Sequence, residues 1–352
     1  MQNVSMQLVD SLQQRDDTEV DTIIMRTSWK FIRLKSFFFL FSLVWRIPAK
    51  VKKTKPDIVL FSSMVTASIL PLLIRKPKVP YVTINHGQDV TFPSAWYQWY
   101  ITYVFKQLVG VISVSSATRN ACIERGMEPE KGVTLPNGFD MKVMDNLPEK
   151  GEARKLIENQ FNLNLSEKKL LLSVGRQVKR KGYRWFVDEV FDEIKSDAVY
   201  LVVGDGPERE NIQEAKKQSD KKEKIVILGK QPNKILNACY AAADLFIMPN
   251  IPVEGDMEGF GIVLLEANRA GVPAIASDLE GIKDVIEEGV NGYKIPHGKP
   301  YLFAQKIDYV LQNELVELSK KSKDYVQKHF SWDTVVDQYI SFLKQAANRV
   351  SS

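Results

Sequence analysis

The sequence predicts an α/β protein built of two parallel-sheet domains. Three observations carry that expectation. The chain has 352 residues, which suits two domains of ~100–200 residues each. Its composition, 44% apolar and 26% charged, is that of a globular protein able to bury two cores. Short β-branched runs alternate with longer stretches of helical spacing, and each run ends in Gly, Pro or polar residues.

Residues 1–14 read as a helix with Val4, Leu8, Val9 and Leu12 on one side. Strands are expected over 20–25, 57–61, 81–84, 111–114 and 133–135, giving a first Rossmann-like domain over residues 1–150. The strand and glycine loop that ordinarily open such a domain are not seen, so it is expected to be shortened at its N-terminus. The stretch 144–166 is polar, helical in part and holds Pro148, and marks the boundary. The second Rossmann-like domain, 151–331, takes strands over 170–174, 199–203, 225–228, 245–248, 274–276 and 293–295. Uninterrupted apolar runs of this kind belong to parallel sheets covered on both faces. The segment 332–352 carries an amphipathic helix with Val335, Val336, Tyr339, Ile340 and Leu343 on one face. It is expected to pack back onto the first domain.

Composition excludes several classes. Cys122 and Cys239 are far apart, so no disulfide framework is expected. His86, His297 and His329 stand at no metal-ligand spacing, and no Asp-x-Asp occurs. No metal site and no cofactor are expected. The N-terminal residues lack the basic-then-apolar pattern of a secretory leader. The uncharged apolar run 36–45 is ten residues, against the ~20 a membrane span needs. The chain is therefore expected to be cytoplasmic.

Four motifs carry chemistry. At Gly175-Arg176, with Lys181-Gly182 following, a strand ends in a glycine turn that presents a planar guanidinium and a point charge, as a diphosphate requires. The turn Gly204-Asp205-Gly206-Pro207 lies at a strand's carboxyl end, where such sheets bind ligands. In Glu258-Gly259-Phe260-Gly261-Ile262, a glycine loop opens a helix whose free N–H groups favour phosphate. Glu266, farther along that helix, can accept from ribose hydroxyls, and Glu258 from sugar hydroxyls. His86 sits after the 81–84 strand, and Asn137-Gly138 suggests a left-handed turn after the last strand of the first domain.

Taken together, these motifs resemble glycosyltransferase family 4, over roughly residues 20–293. The resemblance implies the GT-B fold, two Rossmann-like domains facing each other across a cleft. It implies a retaining transferase that moves a hexose from a GDP- or UDP-sugar to a glycan or lipid-linked acceptor in cell-surface polysaccharide synthesis. Arg176 and Lys181 would neutralise the pyrophosphate, Glu266 would hold the ribose, and Glu258 would contact the transferred sugar. The backbone after Phe260 would bind phosphate and sugar. His86 would bond a sugar hydroxyl near the reacting centre. Asn137, Gly138, Gly175, Gly204, Gly206, Gly259, Gly261 and Ile262 would complete the donor site. A second reading, from another class, is a non-catalytic nucleotide-sugar-binding protein of the same fold. A third, a sugar-nucleotide epimerase, fits the Glu258…Glu266 spacing less well.

Charge is uneven. Residues 26–78 hold twelve Lys/Arg against one acid, Asp57, while the net charge of the whole chain is +5. Aromatic and basic residues interleave over 29–45. This pattern suits an anionic membrane surface at the inner face. No nucleic-acid motif accompanies it, so nucleic acid is not an expected partner.

Overall fold

The computed structural model describes residues 2–25 and 32–349. They form two compact units, Met1–Gly138 with Trp332–Ser352, and Phe139–Ser331.

The first unit holds four parallel strands in the order β1 (Val59–Phe61), β2 (Tyr81–Asn85), β3 (Gly110–Ser113) and β4 (Gly132–Thr134). The central strands β2 and β3 are buried throughout, which is why their sequences are apolar runs instead of alternating ones. The core joins Leu43 and Ile47 of the Ile32–Thr54 helix to Ile101 and Phe105 of the Ala95–Gln107 helix, over Val111 of β3. Residues 20–25 form no strand, contrary to the sequence expectation. Ile23 packs against this core, so the segment's apolar content is satisfied by side-chain burial without a ladder partner for its backbone. Helix Gln2–Gln13 stands where the sequence expects one.

The Trp332–Asn348 helix belongs to this unit. Its Val335, Val336 and Tyr339 are buried. Phe342 covers β3 at Gly110, where a Cβ would stand 3.0 Å from the ring. Trp332 donates from Nε1 to Gln7 (3.1 Å) and lies flat over Gly138, whose notional Cβ falls 2.2 Å from the indole. The left-handed turn expected at Asn137-Gly138 is absent: neither residue has a positive φ. Glycine is required at 138 because the indole occupies the place of a side chain.

The second unit is a six-stranded parallel sheet, ordered β10-β9-β8-β5-β6-β7. Its strands are β5 (Lys169–Val174), β6 (Ala198–Val203), β7 (Ile225–Gly229), β8 (Leu245–Met248), β9 (Ala274–Ser277) and β10 (Gly292–Ile295). The chain leaves β5 for β6 on one side and returns to β8 on the other. The strand order therefore reverses at β5, the place in such sheets where ligands bind at the strands' carboxyl ends. Residues 139–150, expected in the first domain, cluster with this unit. Phe139 N–H donates to Phe330 O (2.7 Å), and Arg269 pairs with Asp145 (2.9 Å).

Candidate active site

Gly175 ends β5 with φ 152°, and Gly182 follows with φ 65°. Between them Lys179–Lys181 form one 3-10 turn. A side chain on Gly182 would strike the carbonyl of Pro249 at 1.9 Å. The loops after β5 and β8 thus meet backbone to backbone, and Ile251 N–H donates to Arg180 O (2.9 Å). This close approach drives Lys181 inward until it is only 6% exposed.

A buried ammonium needs a partner, and Lys181 Nζ meets Glu258 Oε2 at 2.5 Å. Arg180 donates from Nη1 to the same oxygen and from Nε to Asp256 Oδ1 (2.9 Å). Asn250 Nδ2 adds a third donor to Glu258 Oε2 (3.3 Å). Burial alone would raise the Glu258 pKa, but Lys181 and Arg180 outweigh it and hold the carboxyl at about 2. Glu258 is therefore ionised at neutral pH. All three donors fall on Oε2, and Oε1 remains to accept from a ligand hydroxyl. Lys181 retains two further N–H donors in the same way. Burial pulls its own pKa down against the attraction of Glu258.

The loop is held from below. Glu258 N–H donates to the Glu280 carboxylate, and Gly281 N–H donates to Glu258 O (3.1 Å). A side chain at Gly281 would overlap the carbonyl of Gly259 at 2.1 Å. Phe260 is buried in edge contact with Phe330, ring centres 5.9 Å apart. Its side chain anchors the loop, leaving backbone and not ring to face a ligand. Gly261 then turns left-handed (φ 80°) and caps the Ile262–Arg269 helix with no side-chain acceptor. The first N–H groups of that helix lack the usual Ser, Thr or Asp cap and suit an anion.

Glu266, on the same helix and half-buried, accepts from Tyr240 Oη (2.5 Å) through Oε2. Burial raises its pKa, partly offset by that hydrogen bond. Gly204 (φ 131°) and Gly206 have a packing role. A Cβ on Gly204 would sit 1.9 Å from Gly175 O, and one on Gly206 2.3 Å from Gln177 O. The turn after β6 thereby stacks on the turn after β5. Gln177 is buried there, donating to Gly204 O (2.8 Å) with Oε1 unpaired.

Arg176 is exposed and does not join Lys181 on Glu258. The guanidinium that does so is Arg180, which spacing alone did not single out. Asn250, Tyr240 and Glu280 were likewise unforeseen.

His86 follows β2 in the first unit. Its Nε2 lies 3.1 Å from Ser62 O, so Nε2 carries the proton and Nδ1 is the open acceptor of the neutral ring. Burial lowers its pKa against the pull of Asp89. Asp89 is itself buried and accepts from His86 N (2.8 Å) and Met64 N (2.9 Å). That clasp fixes the loop bearing the imidazole. Asn137 is also buried in this unit, with Oδ1 unpaired.

These arrangements coincide with known families. The family "Glycosyl transferases group 1" matches residues 156–329, and "Glycosyltransferase Family 4" matches residues 8–143. The N-acetyl-alpha-D-glucosaminyl L-malate synthase of Bacillus anthracis is 30% identical over 275 residues, covering 74% of this chain and 67% of that protein. The chain belongs to glycosyltransferase family 4. A putative colanic acid biosynthesis glycosyltransferase of Escherichia coli K12 is 24% identical over 273 residues, 75% of this chain and 64% of that one. The fold is GT-B. Anabaena Alr3699/HepE, crystallised with UDP, superposes with TM-score 0.74 at 18% identity, covering 86% of this chain and 82% of that one. The sucrose-phosphate synthase of Thermosynechococcus elongatus gives 0.73 at 20% identity, covering 98% and 93%. At these identities the superpositions establish fold alone.

Proposed function

We propose that this glycosyltransferase moves a hexose from a nucleoside diphosphate sugar to a glycan or lipid-linked acceptor, with retention of configuration and without a divalent metal. The observation that carries the reading is the buried Lys181–Glu258 pair at the strand-reversal edge, beside the uncapped helix start at Gly261. A departing nucleoside diphosphate gathers negative charge on its β-phosphate. The two remaining donors of Lys181 and the helix N–H groups supply a fixed electropositive receptor for that charge, with Arg176 closing from solvent. Glu258 Oε1 accepts from a hydroxyl of the transferred sugar, and Glu266 accepts from the ribose. His86, neutral with its proton on Nε2, accepts at Nδ1 from a sugar hydroxyl. No side chain is assigned as general base; the leaving phosphate oxygen takes the acceptor proton.

Relatives support the donor class. Alr3699/HepE has been crystallised with UDP-glucose, and an Escherichia coli relative 25% identical over 313 residues is named a UDP-Gal galactosyltransferase acting on a diphosphoundecaprenol acceptor. A UDP- or GDP-hexose, a surface polysaccharide or glycolipid product and a cytoplasmic site of action fit this company.

The test is transfer assayed in EDTA with UDP- and GDP-hexoses. Wild-type protein turns over, and Lys181→Ala, folded by its thermal transition, loses about 10²–10³-fold, the cost of one positioned donor. Wild-type turnover by the variant overturns the receptor; turnover restored only by Mg²⁺ or Mn²⁺ overturns the metal-free reading.

A further inference from the structure

The helix Ala95–Gln107 buries Ile101, Val104 and Phe105 and turns Trp96, Trp99 and Tyr103 outward, at 65%, 56% and 43% exposure. These three recur at i, i+3 and i+7 and so form a single stripe. The adjoining turn Leu70–Leu72 packs against this helix. Tyr100, stacked on Trp96 (5.1 Å), donates from Oη to Ser68 O (2.7 Å) and ties turn to helix. Leu72 and Ile74 leave that turn 57% and 60% exposed. Several large apolar side chains thus share one exposed face, where a soluble surface scatters them singly.

Charge decides what the face meets. From residue 58 to 123 the sequence holds one carboxylate, Asp89. It is buried and spent on two backbone N–H groups. Arg75, Lys76, Lys78 and Lys106 are all exposed. Lys76 reaches Gln107 (2.7 Å), so the cations gather at the helix's C-terminal end while the indoles occupy its N-terminal half. A second copy of the chain, paired face to face, would set these cations against themselves. An anionic, apolar-backed surface satisfies both halves.

We propose that the aromatic stripe of the Ala95–Gln107 helix, continued by Leu72 and Ile74, docks on a lipid bilayer bearing anionic headgroups. Trp and Tyr rings suit the headgroup level, apolar in body and polar at one edge. The bases add headgroup attraction that salt weakens. No helix among the described residues is long and apolar enough to cross a membrane, and this contact needs none. The surface lies outside the 26–78 segment for its aromatic part and does not depend on the transferase reading.

The experiment is flotation of the full chain with phosphatidylcholine vesicles, with and without phosphatidylglycerol, at low and high salt. The chain floats with phosphatidylglycerol vesicles at low salt and is released at high salt. Trp96→Ala/Trp99→Ala weakens partition about tenfold, and Arg75→Glu/Lys106→Glu weakens it at least about fivefold per cation on anionic vesicles alone. Both pairs are exposed, and unchanged thermal midpoints verify the fold. Absence from every vesicle fraction at low salt overturns the proposal, as does full flotation of both double variants. A wild-type dimer that the Trp double variant turns into a monomer reassigns the face to a second copy.

Discussion

Glu258 gathers Arg180, Lys181 and Asn250 on one oxygen in a nearly closed setting. Removing its charge leaves the buried Lys181 ammonium facing a neutral amide, while Arg180 keeps Asp256. Glu258→Gln is therefore expected to destabilise the second unit by about 3–5 kcal/mol at neutral pH. The sign with pH follows from the depressed pKa. Its ordinary value is 4.5 and its folded value about 2, so the wild-type advantage is complete above about 4.5 and drains away as pH falls toward 2. Urea midpoints of both proteins across that range check this; a gap independent of pH contradicts it. Sequence spacing pointed to Lys181, which turns inward, but paired it with Arg176, whereas the guanidinium that joins it on Glu258 is Arg180. Lys179, Arg180 and Lys181 are consecutive, and only the turn geometry set by Gly182 decides among them. Tyr240, a residue in an apolar helix, gave no sign that its hydroxyl would reach Glu266.

At the scale of elements, the strands were legible because burial on both faces writes itself as unbroken apolar runs. Ten of eleven expected strands stand within a few residues of their expected places. The eleventh, 20–25, has the composition of a strand without a neighbouring ladder, and pairing is not written in local sequence. The glycine turns were legible as turns, yet their cause is non-local. Gly182, Gly204 and Gly206 let the loops after β5, β6 and β8 touch through bare backbone. Gly182→Ala is expected to cost about 1–3 kcal/mol or more, as overpacking does, with a fall in transfer because Lys181 is displaced. Gly151→Ala is the control. It lies in the Lys150–Phe161 helix with open space around its Cα, and should gain roughly 0.5–1 kcal/mol. Chemical denaturation of both variants distinguishes a tight backbone contact from a general intolerance of alanine.

At the scale of the molecule, the returning helix was read correctly as amphipathic, but its grip on Gly138 was not readable. Nothing near either residue announces that an indole will fill the place of a missing side chain. Ending the chain after Ser331 would uncover β3 at Gly110 and the ring bed at Gly138. Such a truncation is expected to make the first unit rapidly digestible by limited proteolysis while 139–331 stays resistant; equal resistance of both would show the helix to be dispensable. The first unit is thus assembled from both ends of the chain, with the second inserted whole between its parts. Residues 139–331 are contiguous, so during synthesis that unit needs no segment from elsewhere in the chain. The earlier-made unit cannot close until residues 332–349 have followed the second, and its Gly138 bed stays vacant until Trp332 reaches it.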